Sequence, residues 1–199
     1  MIIKILLAAA VILLAGGAWA YFRFRTFDGY KVLAELDIAN SDKRTTYFAF
    51  EKRYIKCVGD GITCFDKNGI LWAETFEMMQ PLADTCGDYM AVADLKGSDI
   101  YLYDGAGFVN RVSVSHPILD IEVSRQGVVA VATHDGQSNY IEVLDKEGKE
   151  LITAKSVFSS SGYLMDIALS EDGSSLASAF IYVSEGTLES KVVFYDFSG

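Results

Sequence analysis

The stretch Ile62-Thr63-Cys64-Phe65-Asp66-Lys67-Asn68-Gly69 joins a β-like apolar run to a tight turn. Aspartate at the start of such a turn accepts a backbone hydrogen bond from two residues on, and glycine adopts the conformation that closes it. Three further runs end in the same Asp-x-x-Gly pattern, at intervals of about 40 to 50 residues. The residues predicted to form these structural turns are Asp66 and Gly69, Asp104 and Gly107, Asp145 and Gly148, and Asp196 and Gly199.

A repeat of this length is typical of a β-propeller blade, a four-stranded antiparallel unit that buries its faces only against neighbouring copies. The sequence predicts an all-β propeller over residues 31–199, with Gly-containing turns between its strands. The fourth unit stops before its last strand, so about three and a half blades are expected, whereas closed propellers have about four to eight. We therefore interpret the chain as the N-terminal part of a longer protein; closure through a second copy is the less favoured alternative.

The N-terminal region has the composition of a membrane segment. Residues 5–22 carry no charge, and as a helix they would span about 27 Å. Aromatic and arginine side chains gather at the C-terminal end, as a membrane interface favours. These predicted interface anchors are Trp19, Tyr21, Phe22, Arg23 and Arg25. The alternative is a cleaved signal peptide with an Ala-x-Ala site at residues 18–20, although the arginines that follow that site favour an uncleaved helix.

The predicted organisation has four parts: a short flank (1–4), a transmembrane helix or signal anchor (5–22), a juxtamembrane stalk (23–30) and a partial propeller (31–199). Residues 31–38 are predicted to begin the propeller as a strand. The positive-inside rule, read strictly, would keep the domain in the cytoplasm, but large domains are translocated largely regardless of such charges. We expect a single-pass protein of the cell membrane with its propeller outside the cytoplasm.

Blocks of sequence over nearly the whole chain form a recognisable pattern. They are Tyr21-Phe22-Arg23-Phe24-Arg25-Thr26-Phe27, Asn68-Gly69-Ile70-Leu71-Trp72, Cys86-Gly87-Asp88-Tyr89, Gln126-Gly127-Val128-Val129-Ala130-Val131, Gly162-Tyr163-Leu164-Met165-Asp166-Ile167-Ala168-Leu169-Ser170 and Val193-Phe194-Tyr195-Asp196-Phe197. Together they resemble a bacterial domain family of unknown function that is common in clostridia. The resemblance implies an N-terminal membrane helix followed by a WD40-like β-propeller outside the cytoplasm, in proteins usually longer than this chain. It implies no catalytic residues.

Charge and residue usage exclude several classes of function. The net charge of −10 argues against nucleic acid as a partner, because phosphate binding requires a basic surface. The three cysteines are interpreted as buried free thiols, although a Cys57–Cys64 bridge stays open. Neither His116 nor His134 lies in a metal-ligand motif, and no phosphate-binding loop or nucleophile elbow is found. The sequence therefore predicts no cofactor and no enzyme activity.

Asp84, Asp120 and Asp166 are predicted to occupy the same place in three successive units, near the start of each innermost strand. They are expected either to form an acidic ring that binds a cation or a basic peptide, or each to accept backbone hydrogen bonds from a neighbouring blade; the second is favoured. The predicted function is a membrane-anchored binding or scaffolding module at the bacterial cell envelope, with a protein or envelope glycan as partner. The alternative is a propeller enzyme, a hydrolase or quinoprotein-like protein with its site in a missing C-terminal half.

Overall fold

The computed structural model describes residues 2–26, 29–38 and 45–197 of the chain. They divide into two units, Met1–Glu35 and Leu36–Gly199. The first contains a helix, and the second contains all of the strands.

Helix α1 (Ile2–Phe24) extends beyond both ends of the helix predicted over residues 5–22. Its large apolar side chains that the structure describes are exposed, among them Leu13, Trp19 and Phe22. Across the described parts of the chain, no helix is both long enough and apolar enough to cross a membrane, so the predicted span is not confirmed.

The strand predicted over residues 31–38 is wrong, because these residues have no regular secondary structure. Their apolar alternation suits a strand, but no other strand pairs with them. A strand requires a partner that satisfies its backbone N–H and C=O groups, and alternation alone does not supply one.

The second unit contains four antiparallel sheets within its described residues, and neighbouring strands in each sheet are consecutive in the chain. Blade 1 consists of β1 (Thr46–Phe50), β2 (Arg53–Val58), β3 (Gly61–Asp66) and β4 (Gly69–Thr75). Blade 2 consists of β5 (Pro81–Cys86), β6 (Tyr89–Asp94), β7 (Asp99–Asp104) and β8 (Gly107–Ser113). Blade 3 consists of β9 (Ile118–Val123), β10 (Val129–His134), β11 (Ser138–Leu144) and β12 (Glu150–Val157). After the short helix α2 (Phe158–Ser161), blade 4 consists of β13 (Tyr163–Leu169), β14 (Ser175–Ser184) and β15 (Thr187–Asp196).

The Asp-x-x-Gly turns join the third strand to the fourth in blades 1 to 3. The aspartate Oδ1 accepts a hydrogen bond from the backbone N–H two residues on, at 2.7 Å for Asp66, 2.7 Å for Asp104 and 3.1 Å for Asp145. The glycines that follow, Gly69, Gly107 and Gly148, all have positive φ, which glycine adopts without steric cost. Asp196 is the last residue of β15, and Gly199 lies outside the described residues.

The apolar core lies between the blades. Strand β10 shows how one strand serves two interfaces: Val129 and Val131 pack towards blade 2, whereas Ala130 and Ala132 pack towards blade 4. A third cluster joins blades 1 and 2. Because the inner strands are covered on both faces, their sequences are nearly continuous apolar runs instead of alternating ones.

The interpretation of the three cysteines as free thiols is confirmed; Cys57 and Cys64 are buried as expected, whereas Cys86 is only partly buried. In the β2–β3 hairpin, Cys57 pairs with Ile62 and Cys64 pairs with Ile55, so the two cysteines are not opposite each other. Burial raises the pKa of Cys57 to about 11, which keeps this thiol protonated and unreactive at neutral pH.

Candidate functional site

Two of the three aspartates predicted near the channel connect successive blades. Asp84 in β5 accepts a hydrogen bond from the N–H of Val123 in β9, with 2.8 Å between Oδ2 and N. Asp120 in β9 accepts one from the N–H of Ile167 in β13 at 3.3 Å, and another from Ile121 at 2.9 Å. Partly buried N–H groups on facing strands need such acceptors. These contacts have the geometry of the inter-blade alternative.

The strand register shows that the three aspartates do not share one position. Asp120 and Asp166 occupy equivalent positions in blades 3 and 4. Asp84 lies one pleat closer to the hairpin turn of blade 2, at the position that Glu122 occupies in blade 3. The pairs that establish this are Asp84 with Ala91, Glu122 with Ala130, Asp120 with Ala132, and Asp166 with Ala179. Asp166 is exposed. The arrangement is therefore a staggered set of carboxylates between blades, and the expectation of equivalent positions is wrong for Asp84.

Burial between blades 3 and 4 raises the pKa values of two carboxyl groups, those of Asp120 and Glu122. Burial raises the pKa of Asp120 to about 6; the adjacent carboxyl of Asp166 adds to the rise, and the N–H groups of Ile167 and Ile121 oppose it. Burial likewise raises the pKa of Glu122 to about 7, and the negative charge of Asp84 adds to it. Within the described residues, no group of three or more His, Cys, Asp or Glu side chains is arranged to hold a metal ion.

His134 is the last residue of β10, and His116 lies in the connection between β8 and β9. Both pack against aromatic rings. His116 stacks on Tyr140, with 4.4 Å between ring centroids and an angle of 8°. The hydroxyl of Tyr140 donates to Asp135 at 2.8 Å, and the ammonium of Lys155 lies 5.0 Å from the same ring. His134 lies 6.2 Å from the ring of Phe158. Ring packing therefore supplies the aromatic contacts of both histidines, whereas the Nδ1 atom of each is buried without a hydrogen-bond partner.

A concave site of about 530 Å³ lies between α2 and the β14–β15 hairpin. We call it the α2 cleft. Its lining includes the aromatic rings of Phe158 and Tyr163, whose centroids are 4.6 Å apart, the exposed apolar side chains Val183 and Leu188, and serine hydroxyls from α2 and β14. An aromatic and apolar floor with a few hydroxyls is the usual composition of a binding pocket.

The side chain of Asn139 holds in place a chain segment that lines this cleft. Its side chain is buried, and its Nδ2 donates to the carbonyl of Gly162 at 2.9 Å and to Ser156 Oγ at 3.1 Å. Its Oδ1 accepts from the N–H of Leu164 at 3.1 Å. One amide thus ties β11 to the connection between blades 3 and 4. Gly162 has φ +84, and a Cβ there would collide with the carbonyl of Ile181.

Sequence reasoning missed this cleft. The strands of its hairpin pair as far as Ser184 opposite Thr187. Glu185 and Gly186 form the two-residue turn, both with positive φ. Such turns strongly prefer Asn-Gly or Asp-Gly. Because glutamate is rare at positive φ, the sequence carried no turn signal that would have extended the strands.

Structural similarity to solved proteins identifies the fold. The WD40 domain of Toxoplasma gondii coronin is similar to this chain with a TM-score of 0.53 and 17% identity, covering 77% of this chain and 45% of that one. Kluyveromyces lactis Hsv2 is similar with a TM-score of 0.58 and 14% identity, covering 81% of this chain and 50% of that one. These similarities and the four sheets define a WD40-like β-propeller fold.

The family of unknown function DUF5711 matches residues 23–199, and the chain belongs to this family. The expected membership in a family of unknown function is thereby confirmed. No curated protein matches the chain. The chain spans about half the length of the solved structures that it resembles.

Proposed function

We propose that this domain is a protein-binding module and that the α2 cleft holds an apolar segment of the partner. The observation that carries the proposal is the cleft itself, a concavity of about 530 Å³ lined by two aromatic rings and by exposed aliphatic side chains. Binding, without catalysis, is the proposed activity.

The chemistry of the lining favours a protein over an envelope glycan. Tyr163, Val183 and Leu188 are all exposed, and aromatic and aliphatic anchors set in a pocket are typical centres of protein interfaces. The hydroxyl of Tyr182, which also lines the cleft, donates to Glu189 at 2.8 Å and is therefore already engaged. Apolar side chains of a partner would displace water from the aromatic and aliphatic part of this surface.

Selection of a random peptide library on the full chain tests this function. Peptides enriched on the protein should carry apolar or aromatic residues, and Leu188→Ser should weaken their binding by about tenfold, since one buried leucine contributes about 1.5 kcal/mol or more. The matched control is Leu151→Ser, which changes an exposed leucine of β12 in blade 3.

Equal binding of the selected peptides to both variants would place their site elsewhere and contradict the proposal. A library that yields no peptide dependent on Leu188 would contradict it as well, provided that circular dichroism shows both variants to be folded.

We also propose that the N-terminal region attaches the module to a cell membrane, with the propeller outside the cytoplasm. The support is the uncharged sequence of residues 5–22 together with apolar side chains exposed along α1, a pattern that suits lipid and not water. The finding that no described helix is long and apolar enough to cross a membrane counts against a spanning helix.

Protease treatment of spheroplasts tests whether the propeller lies outside the cytoplasm and is attached to the membrane. Digestion of the propeller in intact spheroplasts, while the N-terminal region stays with the membrane fraction, is the expected result. Complete protection until lysis, or release of the whole chain into the soluble fraction, would contradict the proposed location.

A further inference from the structure

A polar hollow of about 450 Å³ lies where the outer strands of blade 2 meet blade 3. We call it the blade 2–3 hollow. Its walls come from the start of β6 and the β7–β8 hairpin in blade 2, and from the turn between β11 and β12 in blade 3. The residues that line it are Tyr89, Asp104, Val109, Asn110, Lys146 and Glu147. Its volume is within the range of about 300 to 1,000 Å³ that is usual for small-molecule sites.

The repeat shows that the fold itself does not require a polar hollow here. Asn110, Trp72 and Ile152 occupy the same position of the fourth strand in blades 2, 1 and 3, because each pairs with the residue two before the aspartate of its turn. Trp72 and Ile152 pack into the apolar clusters between their blades. The indole of Trp72 stacks on Tyr103 of blade 2, with 5.4 Å between ring centroids and an angle of 8°. Asn110 is shorter than Trp72 and, unlike either residue, polar.

Contacts within the protein hold two walls of the hollow in place. The ring of Tyr89 packs against Gly127, which has φ +79, and a Cβ on that glycine would lie 2.9 Å from the ring atom Cε1. The side chain of Asn110 donates from Nδ2 to the carbonyl of Lys146 at 3.3 Å, and its Oδ1 accepts from the N–H of Arg111 at 2.9 Å. A ligand would therefore meet an aromatic ring and a turn that are already positioned, which lowers the entropy lost on binding.

The lining combines both kinds of hydrogen-bonding group with one aromatic ring. Asp104 and Glu147 carry carboxylates, which accept hydrogen bonds, and Lys146 carries an ammonium group, which donates them. The lysine would repel a cationic ligand, and the two carboxylates would repel an anionic one. A neutral polyol suits all three groups, because each hydroxyl both donates and accepts. A pyranose ring also has apolar C–H groups that can pack on the ring of Tyr89.

We propose that the blade 2–3 hollow binds a pyranose sugar. Tyr89 forms the wall against which the sugar ring packs, and Asp104, Lys146 and Glu147 bond its hydroxyl groups. No residue lines both this hollow and the α2 cleft, so the sugar site is independent of the proposed peptide site. The same chemistry would bind a free sugar or one unit of a glycan polymer.

Saturation-transfer difference NMR on the full chain tests the proposal. The probes are glucose, N-acetylglucosamine, maltotetraose and chitotetraose. The detergent has no sugar headgroup; detergent is needed because α1 exposes apolar side chains. At least one probe should bind with a dissociation constant of about 1 mM or below. Binding of a tetrasaccharide at least about tenfold tighter than its monosaccharide would identify a polymer as the source, and equal binding would identify a free sugar.

Two variants locate the bound sugar. Asn110→Trp introduces the residue that blade 1 has at this position, which should fill the hollow and abolish binding. Lys146→Ala should weaken binding by about tenfold, because a hydrogen bond from a charged donor is lost. The matched control is Lys67→Ala, which changes an exposed lysine at the same position of the Asp-x-x-Gly turn in blade 1 and should leave binding unchanged.

Failure of all four probes to bind the wild type would overturn the proposal. Wild-type affinity in a folded Asn110→Trp variant would overturn it as well, since the sugar would then lie elsewhere. Circular dichroism establishes folding. If Asn110→Trp does not fold, Lys146→Ala decides the question, and equal affinities of Lys146→Ala and Lys67→Ala would overturn the proposal.

Discussion

Replacing Glu122 with glutamine should stabilise the propeller at neutral and alkaline pH. Burial and the nearby charge of Asp84 raise the pKa of Glu122 from 4.5 to about 7. The folded protein then holds this proton more tightly than the unfolded chain, so the free energy of unfolding decreases as pH rises from about 4.5 to about 7 and stays lower above that. The full shift corresponds to about 3 kcal/mol, and solvent screening at this half-buried site reduces the expected effect to about 1 to 2 kcal/mol.

Urea unfolding followed by circular dichroism at about pH 4 and about pH 8 measures this effect. Glu122→Gln should match the wild type at the lower pH, where both side chains are neutral, and exceed it by about 1 to 2 kcal/mol at the higher pH. Glu147→Gln, which changes an exposed glutamate between β11 and β12, is the control. A variant less stable than the wild type at the higher pH would show that the ionised carboxylate stabilises the interface, and would refute this reasoning.

Three further substitutions test the inter-blade contacts, each by urea unfolding. Asn139→Ala should lower the free energy of unfolding by about 2 to 3 kcal/mol, because buried backbone groups around α2 lose their partners; a loss below about 0.5 kcal/mol would deny the amide this role. Gly162→Ala should cost about 2 kcal/mol or more through its positive φ and the collision at its Cβ, and wild-type stability would contradict that geometry. Asp84→Ala should cost about 1 to 3 kcal/mol, whereas Asp166→Ala, at an exposed position, should change monomer stability by under about 0.5 kcal/mol. Equal costs for the two aspartates would mean that the inter-blade hydrogen bond of Asp84 contributes nothing.

The propeller was predictable because its signals are local and repeated. Each Asp-x-x-Gly turn fixes one hairpin, and four copies at similar spacing identify the unit even where a single one would be ambiguous. Residues 31–38 show the limit of this reasoning. Their alternation is as good as that of several true strands, but pairing depends on a partner distant in sequence, which alternation cannot reveal.

The carboxylates between the blades were predictable only in part. Their location on innermost strands followed from the repeat, but Asp84 was expected at the position of Asp120, and the raised pKa of Glu122 was not foreseen. The position of Asp84 and the pKa of Glu122 both depend on the register of one blade's inner strands relative to those of the next blade. The predicted inner strands of blades 2 and 3 begin at different places in the pairing register, so counting from the start of each strand misplaced Asp84 by one pleat.

The two exposed apolar surfaces of blade 4 have different origins, and this decides where a partner should be sought. The face of blade 4 that carries Val192 and Phe194 repeats positions that are buried elsewhere in the fold, so the repeat alone explains its apolar character. The α2 cleft has no such explanation. Strands β14 and β15 each have 10 residues, and their outermost pairs, including Val183 with Leu188, extend past the last pair of β10 and β11. No inner blade contact requires apolar side chains at those pairs. Exposed apolar residues that the fold does not require have a cost in water, and the simplest physical reason to retain them is a ligand that covers them.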